Sequence, residues 1–170
     1  WLYTGDEGAI DDDGFLKITG RVKVLIKTSK GKYVAPSPIE MKLSANKNLE
    51  QICVVGDGIP QPIVLVVLSE TGKTKPQADL IASLAKTMEV INPKLDNHEK
   101  LHNIVVIAEG CTIENNLLKP TIKIKRNDIE KIYKSNYVTG YAGDRVSVIE
   151  QAVKSSFNKK IFVLVGGLIL

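Results

Sequence analysis

The residues of this chain that could do chemistry fall into two groups, and the first lies near the start. Asp6 stands in a loop-like segment, Thr4-Gly-Asp6-Glu-Gly8, and Arg21 follows Gly20 at the end of a predicted strand. An ionised carboxylate can accept hydrogen bonds from both hydroxyls of a ribose. A guanidinium is an always-charged planar fork that suits ribose or phosphate oxygens. From these residues alone, an ordinary turn carboxylate and a solvated turn arginine are the simpler interpretations.

The second group is a run of cations, Pro120-Thr-Ile-Lys123-Ile-Lys125-Arg126. Its alternation after the proline predicts a strand with Ile122 and Ile124 on one face and Lys123 and Lys125 on the other. A lysine on a rigid strand can bring a compact positive charge, on a long side chain, to a developing negative charge. A solubilising edge strand guarded by lysines fits the pattern equally well.

A loop and a single lysine lie between these two groups. Ser29-Lys-Gly31-Lys-Tyr33 is predicted to be a flexible loop, in which Gly31 suits a position where the backbone approaches a ligand closely. Lys23 is a polar residue between two apolar strands. Such a residue can change its backbone dihedral angles without breaking a core, as a hinge requires, although it could equally begin a strand.

Other motifs in the chain are incomplete. Gly72-Lys-Thr74 lacks the glycine that a phosphate-binding loop needs five residues earlier, where Val67 stands. Gly56-Asp-Gly58 lacks the third glycine of a dinucleotide-binding fingerprint. His98 and His102 are four residues apart, but no pattern of Cys, His or Glu surrounds them. We therefore expect no metal site.

Composition excludes several classes of protein. Apolar residues make up 44% and charged residues 25%, which is ordinary for a soluble globular protein. The net charge of +4 suits anionic ligands such as nucleotides, but it is too small to indicate nucleic-acid binding. Cys53 and Cys111 are far apart and are predicted to be free thiols in a reducing cytosol. No signal peptide opens the chain, and its abrupt start at Trp1 indicates a fragment.

Periodicity and turn residues predict the elements that must position these side chains. The predicted strands are Phe15–Ile18, Val24–Ile26, Ile52–Val55, Ile63–Leu68 and Ile104–Ile107, the first two joined by a Thr19-Gly-Arg21 turn. The predicted helices are Pro38–Asn46, Pro76–Met88, Lys94–Lys100 and a segment from an Asn127 cap to Tyr133. Short strands mixed with three to four helices indicate an α+β fold with a small mixed sheet.

The carboxy-terminal segment follows a different pattern. An amphipathic helix is predicted from Asp144 to Phe157, and ten apolar residues, Ile161 to Leu170, follow it. A membrane-spanning helix needs about 20 such residues. We therefore expect a packed or non-native tail, and peripheral contact with a membrane stays open.

Taken together, four segments resemble the closing motifs of the adenylate-forming ligases, most of all the long-chain acyl-CoA synthetases. They are Thr4–Gly8, Ile18-Thr-Gly-Arg-Val-Lys23, Gly31-Lys-Tyr-Val-Ala-Pro-Ser-Pro-Ile-Glu40 and Leu118–Arg126. The resemblance covers roughly Trp1 to Tyr137 and implies the mobile carboxy-terminal domain of that fold. It implies an end of the large domain in residues 1–22, a lid domain in 23–137, and an appendage of uncertain role in 138–170.

The resemblance also implies roles for individual residues. Asp6 and Arg21 would bind the nucleotide, and Lys23 would be the hinge. Gly31 and Lys32 would belong to the loop beside the pantetheine tunnel, although Lys30 stands where members often have a second glycine. Lys123 would be the catalytic lysine, which neutralises charge on the α-phosphate and on the carboxylate of the acid.

The implied activity is a two-step ligase reaction. Its implied location is the cytoplasm, and association with a membrane is left open. ATP, with Mg²⁺, and a fatty acid give an acyl-adenylate, and coenzyme A then forms the thioester. The implied partner is the amino-terminal domain that binds ATP and the acid, without which the chain is expected to be inactive. Two alternatives are a ligase that loads a carrier protein and a non-enzymatic, basic interaction module.

Overall fold

The computed structural model describes residues 4–21, 25–121, 123–140 and 146–149. The predicted hinge Lys23, Ile122 of the predicted lysine strand, and the apolar run 161–170 lie outside these residues. The prediction of an α+β fold with a mixed sheet is confirmed, with four α-helices in the described part of the chain.

The chain opens with a β-hairpin made of β1 (Asp6–Ile10) and β2 (Leu16–Arg21). The Asp11 carboxylate shapes its turn by accepting hydrogen bonds from the backbone N–H of Asp13 (3.2 Å) and of Phe15 (2.8 Å). The prediction of a loop at Asp6 is wrong, because Asp6 is the first residue of β1. The predicted turn at Thr19–Arg21 is also wrong, since β2 continues through it and pairs with the strand before it.

A second, shorter pair of strands leads into the first helix. It consists of β3 (Ile26–Lys27) and β4 (Tyr33–Val34), joined by the loop of residues 28–32. Helix α1 (Pro36–Leu43) follows and begins two residues before the predicted start. Proline fits the first helical turn because its fixed φ suits a helix and its missing N–H would have no helical partner there.

A four-stranded mixed sheet forms the centre of the molecule. Its strands, in spatial order, are β5 (Leu49–Val55), β6 (Ile63–Leu68), β7 (Ile104–Ile107) and β8 (Val146–Ile149). The β5–β6 pair is antiparallel, whereas β6–β7 and β7–β8 are parallel. The predicted helix from Asp144 is therefore wrong over residues 146–149, where β-branched residues suit a strand that extends the sheet.

Three further helices complete the described fold: α2 (Glu70–Lys73), α3 (Gln77–Ile91) and α4 (Arg126–Gly140). The predicted helix at 94–100 is wrong, since only a 3₁₀ turn, Asn92–Lys94, forms there. The Asn92 side chain hydrogen-bonds both the N–H (2.9 Å) and the carbonyl (3.0 Å) of Leu101, which closes a loop instead. The predicted Asn127 cap is also wrong, because α4 already begins at Arg126.

The sheet is buried on both faces. One face packs on α1 and α3, and its cluster includes Ile39, Leu43, Leu84 and Met88. The other face packs on α4 through Ile129 and Tyr133. Each fully buried aliphatic side chain stabilises the fold by about 1.5–3 kcal/mol. Among the described residues, no helix is both long enough and apolar enough to cross a membrane.

Candidate functional site

The β1–β2 hairpin places Asp6 directly opposite Arg21. The two residues are partners in the antiparallel register, with a bulge between Glu7 and Gly8 just beyond them. Directly opposed residues of such a pair have Cα atoms roughly 4.5–5.5 Å apart. The Asp6 N–H donates a hydrogen bond to the Thr4 hydroxyl (3.2 Å). The hairpin thus brings together two residues that the sequence analysis singled out separately.

Lys123 lies in a tight loop, so the strand predicted for Pro120–Arg126 is wrong. The chain turns at Pro120, and the Lys119 N–H then donates to the Lys123 carbonyl (2.8 Å). Below the turn, Leu118 forms a single antiparallel bridge with Ile124. Proline fixes φ and has no N–H, which favours a turn over a strand interior.

Lys123 and Lys125, which were predicted to share one strand face, differ in their contacts. The Lys123 side chain is exposed and makes no hydrogen bond or ion pair with any residue that the structure describes. The Lys125 ammonium hydrogen-bonds the side-chain oxygen of Asn116, and the Lys125 N–H donates to the Leu117 carbonyl (2.8 Å). Only Lys123 of this pair therefore offers an ammonium group that is not already bound within the described chain.

The base of the Lys123 loop is anchored by an ion pair between Arg126 and Glu40. Arg126 Nη2 lies 2.6 Å from Glu40 Oε1, and the two side chains are only 16% and 20% exposed. The same carboxylate oxygen accepts from the Val54 N–H (2.8 Å), and Arg126 Nε donates to the Val54 carbonyl (3.2 Å). Partial burial strengthens such an interaction relative to a fully exposed pair. This network fixes the start of α4 to both α1 and β5.

Asp6 and Lys123 line one open cleft. Its wall carries eight cationic side chains, among them Lys17, Lys42 and Lys119, against five acidic ones, so cations are in excess. Several lysines along one cleft raise the local concentration of anionic ligands. The structure therefore brings the carboxylate of the hairpin and the unengaged lysine of the distant loop to the same side of the molecule.

Gly31 lies in a different place, in the loop between β3 and β4. It has φ of 74°, in the left-handed region, and its N–H donates to the Thr28 carbonyl (2.9 Å). A Cβ at this position would meet no atom of the chain within 4 Å. Glycine is therefore favoured here by backbone conformation. Thr28 closes the loop, because its N–H donates to the Lys32 carbonyl (2.8 Å) and its hydroxyl accepts from the Lys32 N–H (3.1 Å).

The cysteines are structural in character. Both are free thiols, as predicted, and both are buried beneath α4. Burial raises the pKa of Cys53 to about 12 and that of Cys111 to about 11. A thiol with so high a pKa is almost entirely protonated near neutral pH and is a poor nucleophile. Within the described ranges, no group of three His, Cys, Asp or Glu residues is placed to hold a metal ion.

The residues that hold the loops in place were not predicted from the sequence. Glu40 was read only as the end of a motif, and Arg126 only as one of several cations. The two lie 86 residues apart, so local periodicity carries no signal of their contact. Their types alone, an acid in one motif and a base in another, offered a hint of pairing.

Comparisons with known proteins bear on the family and the fold of the chain. A family model described as AMP-binding enzyme C-terminal domain matches residues 23–145. The long-chain-fatty-acid–CoA ligase FadD15 of Mycobacterium tuberculosis is 33% identical over 158 residues, covering 78% of this chain and 26% of that protein. Long chain acyl-CoA synthetase 1 of Arabidopsis thaliana is 33% identical over 153 residues, covering 78% of this chain and 23% of that protein. The chain thus spans about a quarter of the length of these relatives.

A solved structure is similar over most of the described fold. It is the A domain of a carboxylic acid reductase from Segniliparus rugosus in complex with AMP and a co-purified carboxylic acid. The TM-score is 0.64 at 25% identity, covering 82% of this chain and 23% of that chain. The chain therefore belongs to the AMP-binding enzyme C-terminal domain family, and its resemblance to the adenylate-forming ligases is confirmed.

Proposed function

We propose that this chain forms the carboxy-terminal lid of a long-chain fatty acid–CoA ligase. The observation that carries the proposal is that Asp6 and Lys123 line the same open cleft, together with other lysines. Relatives named as long-chain fatty acid–CoA ligases support the choice of substrates. In the first step a fatty acid carboxylate attacks the α-phosphate of ATP and releases pyrophosphate. In the second, the thiol of coenzyme A attacks the acyl carbon and releases AMP.

In this proposal the residues of the cleft serve the first step. The Asp6 carboxylate accepts hydrogen bonds from the ribose hydroxyls, and Arg21, its partner across the hairpin, binds the same nucleotide. The Lys123 ammonium offsets the negative charge that develops as the carboxylate reaches the α-phosphate. Mg²⁺ would arrive bound to the phosphate oxygens of ATP.

The loop of residues 28–32 would serve the second step. Gly31 and Lys32 would lie beside the pantetheine arm of coenzyme A after the domain rotates about Lys23. The family match begins at residue 23, which supports a boundary between residues 1–22 and 23–137. In this proposal the rotation brings the Gly31 loop to coenzyme A, and the position of that loop outside the lining of the Lys123 cleft supports it.

The partner in this proposal is a larger amino-terminal domain of the same enzyme. The β1–β2 hairpin exposes Ile10 (74%), Phe15 (69%), Leu16 (67%) and Ile18 (58%). A contiguous set of exposed apolar side chains favours a covering partner. The proposal puts the whole enzyme in the cytoplasm, where any contact with a membrane would be peripheral.

Product identification by mass spectrometry tests the proposal. The full-length protein that carries this segment is incubated with ATP, Mg²⁺, palmitate and coenzyme A. We expect AMP, pyrophosphate and palmitoyl-CoA in equal amounts. Release of pyrophosphate without any thioester on addition of coenzyme A would contradict a CoA ligase.

A carrier protein is the second candidate acceptor. It is favoured by the similarity to a reductase solved as an A-PCP didomain, with TM-score 0.64 at 25% identity. Replacing coenzyme A with a phosphopantetheinylated carrier protein in the same assay separates the two. Acyl transfer to the carrier alone would favour this candidate.

A further inference from the structure

Helix α4 holds a second backbone segment besides the Lys123 loop. Glu130 Oε1 accepts hydrogen bonds from the N–H of Gly56 (3.2 Å) and of Asp57 (2.8 Å). These two residues begin the turn between β5 and β6, 74 and 73 residues away in sequence. A carboxylate that accepts from two main-chain donors is a strong, charge-assisted anchor. Glu130 therefore fixes this turn to α4, one helical turn after Arg126.

The turn itself has little freedom to take another shape. Gly56 has φ of 147° and Gly58 has φ of 78°, which other residues rarely adopt. A Cβ on Gly56 would lie 2.9 Å from the Cα of Pro62, so no larger residue fits without displacing backbone. The Ile59 N–H closes the turn on the Gly56 carbonyl (3.3 Å). A displacement at one end of this turn is therefore passed to the other.

The other end of the turn is bonded to the Gly31 loop. The Gly58 N–H donates to the Lys27 carbonyl (2.9 Å), and the Ser29 N–H donates to the Ile59 carbonyl (3.0 Å). These two bonds flank Thr28, which closes the loop around Gly31. An unbroken series of hydrogen bonds thus runs from Glu130, through the β5–β6 turn, to the Gly31 loop.

We propose that Glu130 is a positioning residue for the thioester-forming step, acting through the β5–β6 turn on the Gly31 loop. The inference rests on the proposed function, in which that loop faces coenzyme A. Without the Glu130 carboxylate, two backbone N–H groups lose their acceptor, and the turn no longer holds Lys27 and Ser29 in one position. Helix α4 then carries the anchors of both loops, Arg126 for the Lys123 loop and Glu130 for the Gly31 loop.

The test compares three variants of the full-length protein that carries this segment. Glu130→Ala removes the acceptor, and Glu130→Gln keeps a side-chain oxygen that can accept a hydrogen bond. Glu89→Ala is the matched control, because Glu89 is an exposed glutamate inside α3, which packs on the opposite face of the sheet. Two quantities are measured: the kinetics of each half-reaction, and hydrogen–deuterium exchange of peptides that span residues 28–32.

We expect Glu130→Ala to raise the KM for coenzyme A by about tenfold, the scale of a lost hydrogen bond to a charged group. Exchange in residues 28–32 should accelerate by a similar factor. Glu130 also lines the cleft that holds Lys123, so adenylation changes as well, but by clearly less than thioester formation. Glu130→Gln should bring the KM for coenzyme A and the exchange rate most of the way back to wild type. Glu89→Ala should change neither quantity. A general loss of folding would affect both half-reactions equally and would contradict a positioning role.

The exchange measurement separates this inference from the proposed function. If residues 28–32 keep their protection in Glu130→Ala, Glu130 does not position the loop, and the inference is wrong whatever the activity. If protection falls while thioester formation is unchanged, the loop is not the element that serves coenzyme A, and the inference is equally wrong. If the wild-type protein makes no thioester, the proposed function fails, and the positioning role in thioester formation fails with it.

Discussion

Asp6 and Arg21 are direct partners across the antiparallel β1–β2 pair, although 14 residues separate them in the chain. The turn at Asp11–Gly14 and the bulge after Glu7 set this register. Opposed residues of opposite charge on neighbouring strands can act on one ligand at the same time. Under the proposed function, this register is what would let Asp6 and Arg21 contact one nucleotide together.

We expect Asp6→Ala to raise the KM for ATP in the full-length enzyme by about tenfold or more. The reason is that a carboxylate accepts from hydroxyl groups in charge-assisted bonds, which are worth roughly 1.5–3 kcal/mol each. Steady-state kinetics of pyrophosphate release measures the change. Asp12→Ala is the control, because Asp12 is an exposed residue of the hairpin turn. Equal effects of the two substitutions would contradict a nucleotide role for Asp6.

Substitutions of Gly31 should distinguish backbone strain from steric obstruction. Alanine at φ of 74° is strained, so Gly31→Ala should destabilise the loop by about 1 kcal/mol although no atom obstructs its Cβ. Gly31→Asn should cost less, since asparagine tolerates the left-handed region. If the proposed function is right, both variants should also have a higher KM for coenzyme A than wild type. This KM is measured in the second half-reaction, with acyl-adenylate supplied. An unchanged KM in both variants would show that no ligand approaches this position.

The ion pair between Arg126 and Glu40 should contribute more to stability than a surface pair. Glu40→Ala leaves a largely buried guanidinium with one fewer partner, and we expect the free energy of unfolding to fall by about 2 kcal/mol. Urea denaturation measures this change. The exposed pair Lys73–Glu70 is the control, and Glu70→Ala should change stability by less than about 1 kcal/mol. Similar losses in the two variants would mean that burial adds nothing to the Arg126 network.

The buried thiols predict a loss of stability at alkaline pH. The folded pKa values of Cys53 (about 12) and Cys111 (about 11) lie above the ordinary value of 9.0, so the unfolded chain releases these protons first. Their stabilising contribution is complete below pH 9.0 and is lost as pH rises towards 11 and 12. Each thiol can contribute a slope of at most about 1.4 kcal/mol per pH unit. Urea denaturation at several pH values between 8 and 10.5 measures how the free energy of unfolding changes with pH. Cys53→Ala should make this change with pH smaller. The same change in the variant and the wild type would show that Cys53 does not cause it.

Much of the fold could be predicted from local patterns. The β-branched runs at Ile63–Leu68 and Ile104–Ile107 are buried strands, and the 3.6-residue period from Pro76 marks α3. Residues 146–149 were mistaken for part of a helix, because their apolar spacing fits a helix as well as a strand. Pairing with β7, which is remote in sequence, decides between the two.

The candidate site was predictable residue by residue but not as an arrangement. Asp6, Gly31 and Lys123 stand out by type and motif, yet the alternation around Lys123 wrongly indicated a strand. Pro120 turns the chain there, and one bridge between Leu118 and Ile124 closes the loop. The anchors Glu40 and Glu130 left no local signal, since Arg126 lies 86 residues from Glu40 and the partners of Glu130 lie 73 and 74 residues away.

The central claim, that Lys123 acts in adenylation, is tested most directly by measuring both half-reactions of the full-length Lys123→Ala variant. Removing one positioned charge should slow acyl-adenylate formation by roughly 10²–10³, while thioester formation from supplied acyl-adenylate stays near wild type. Lys125→Ala is the matched control and should change adenylation little, because its ammonium group is already bonded to Asn116. Equal losses in both half-reactions of Lys123→Ala, or an equal loss in Lys125→Ala, would contradict this role for Lys123.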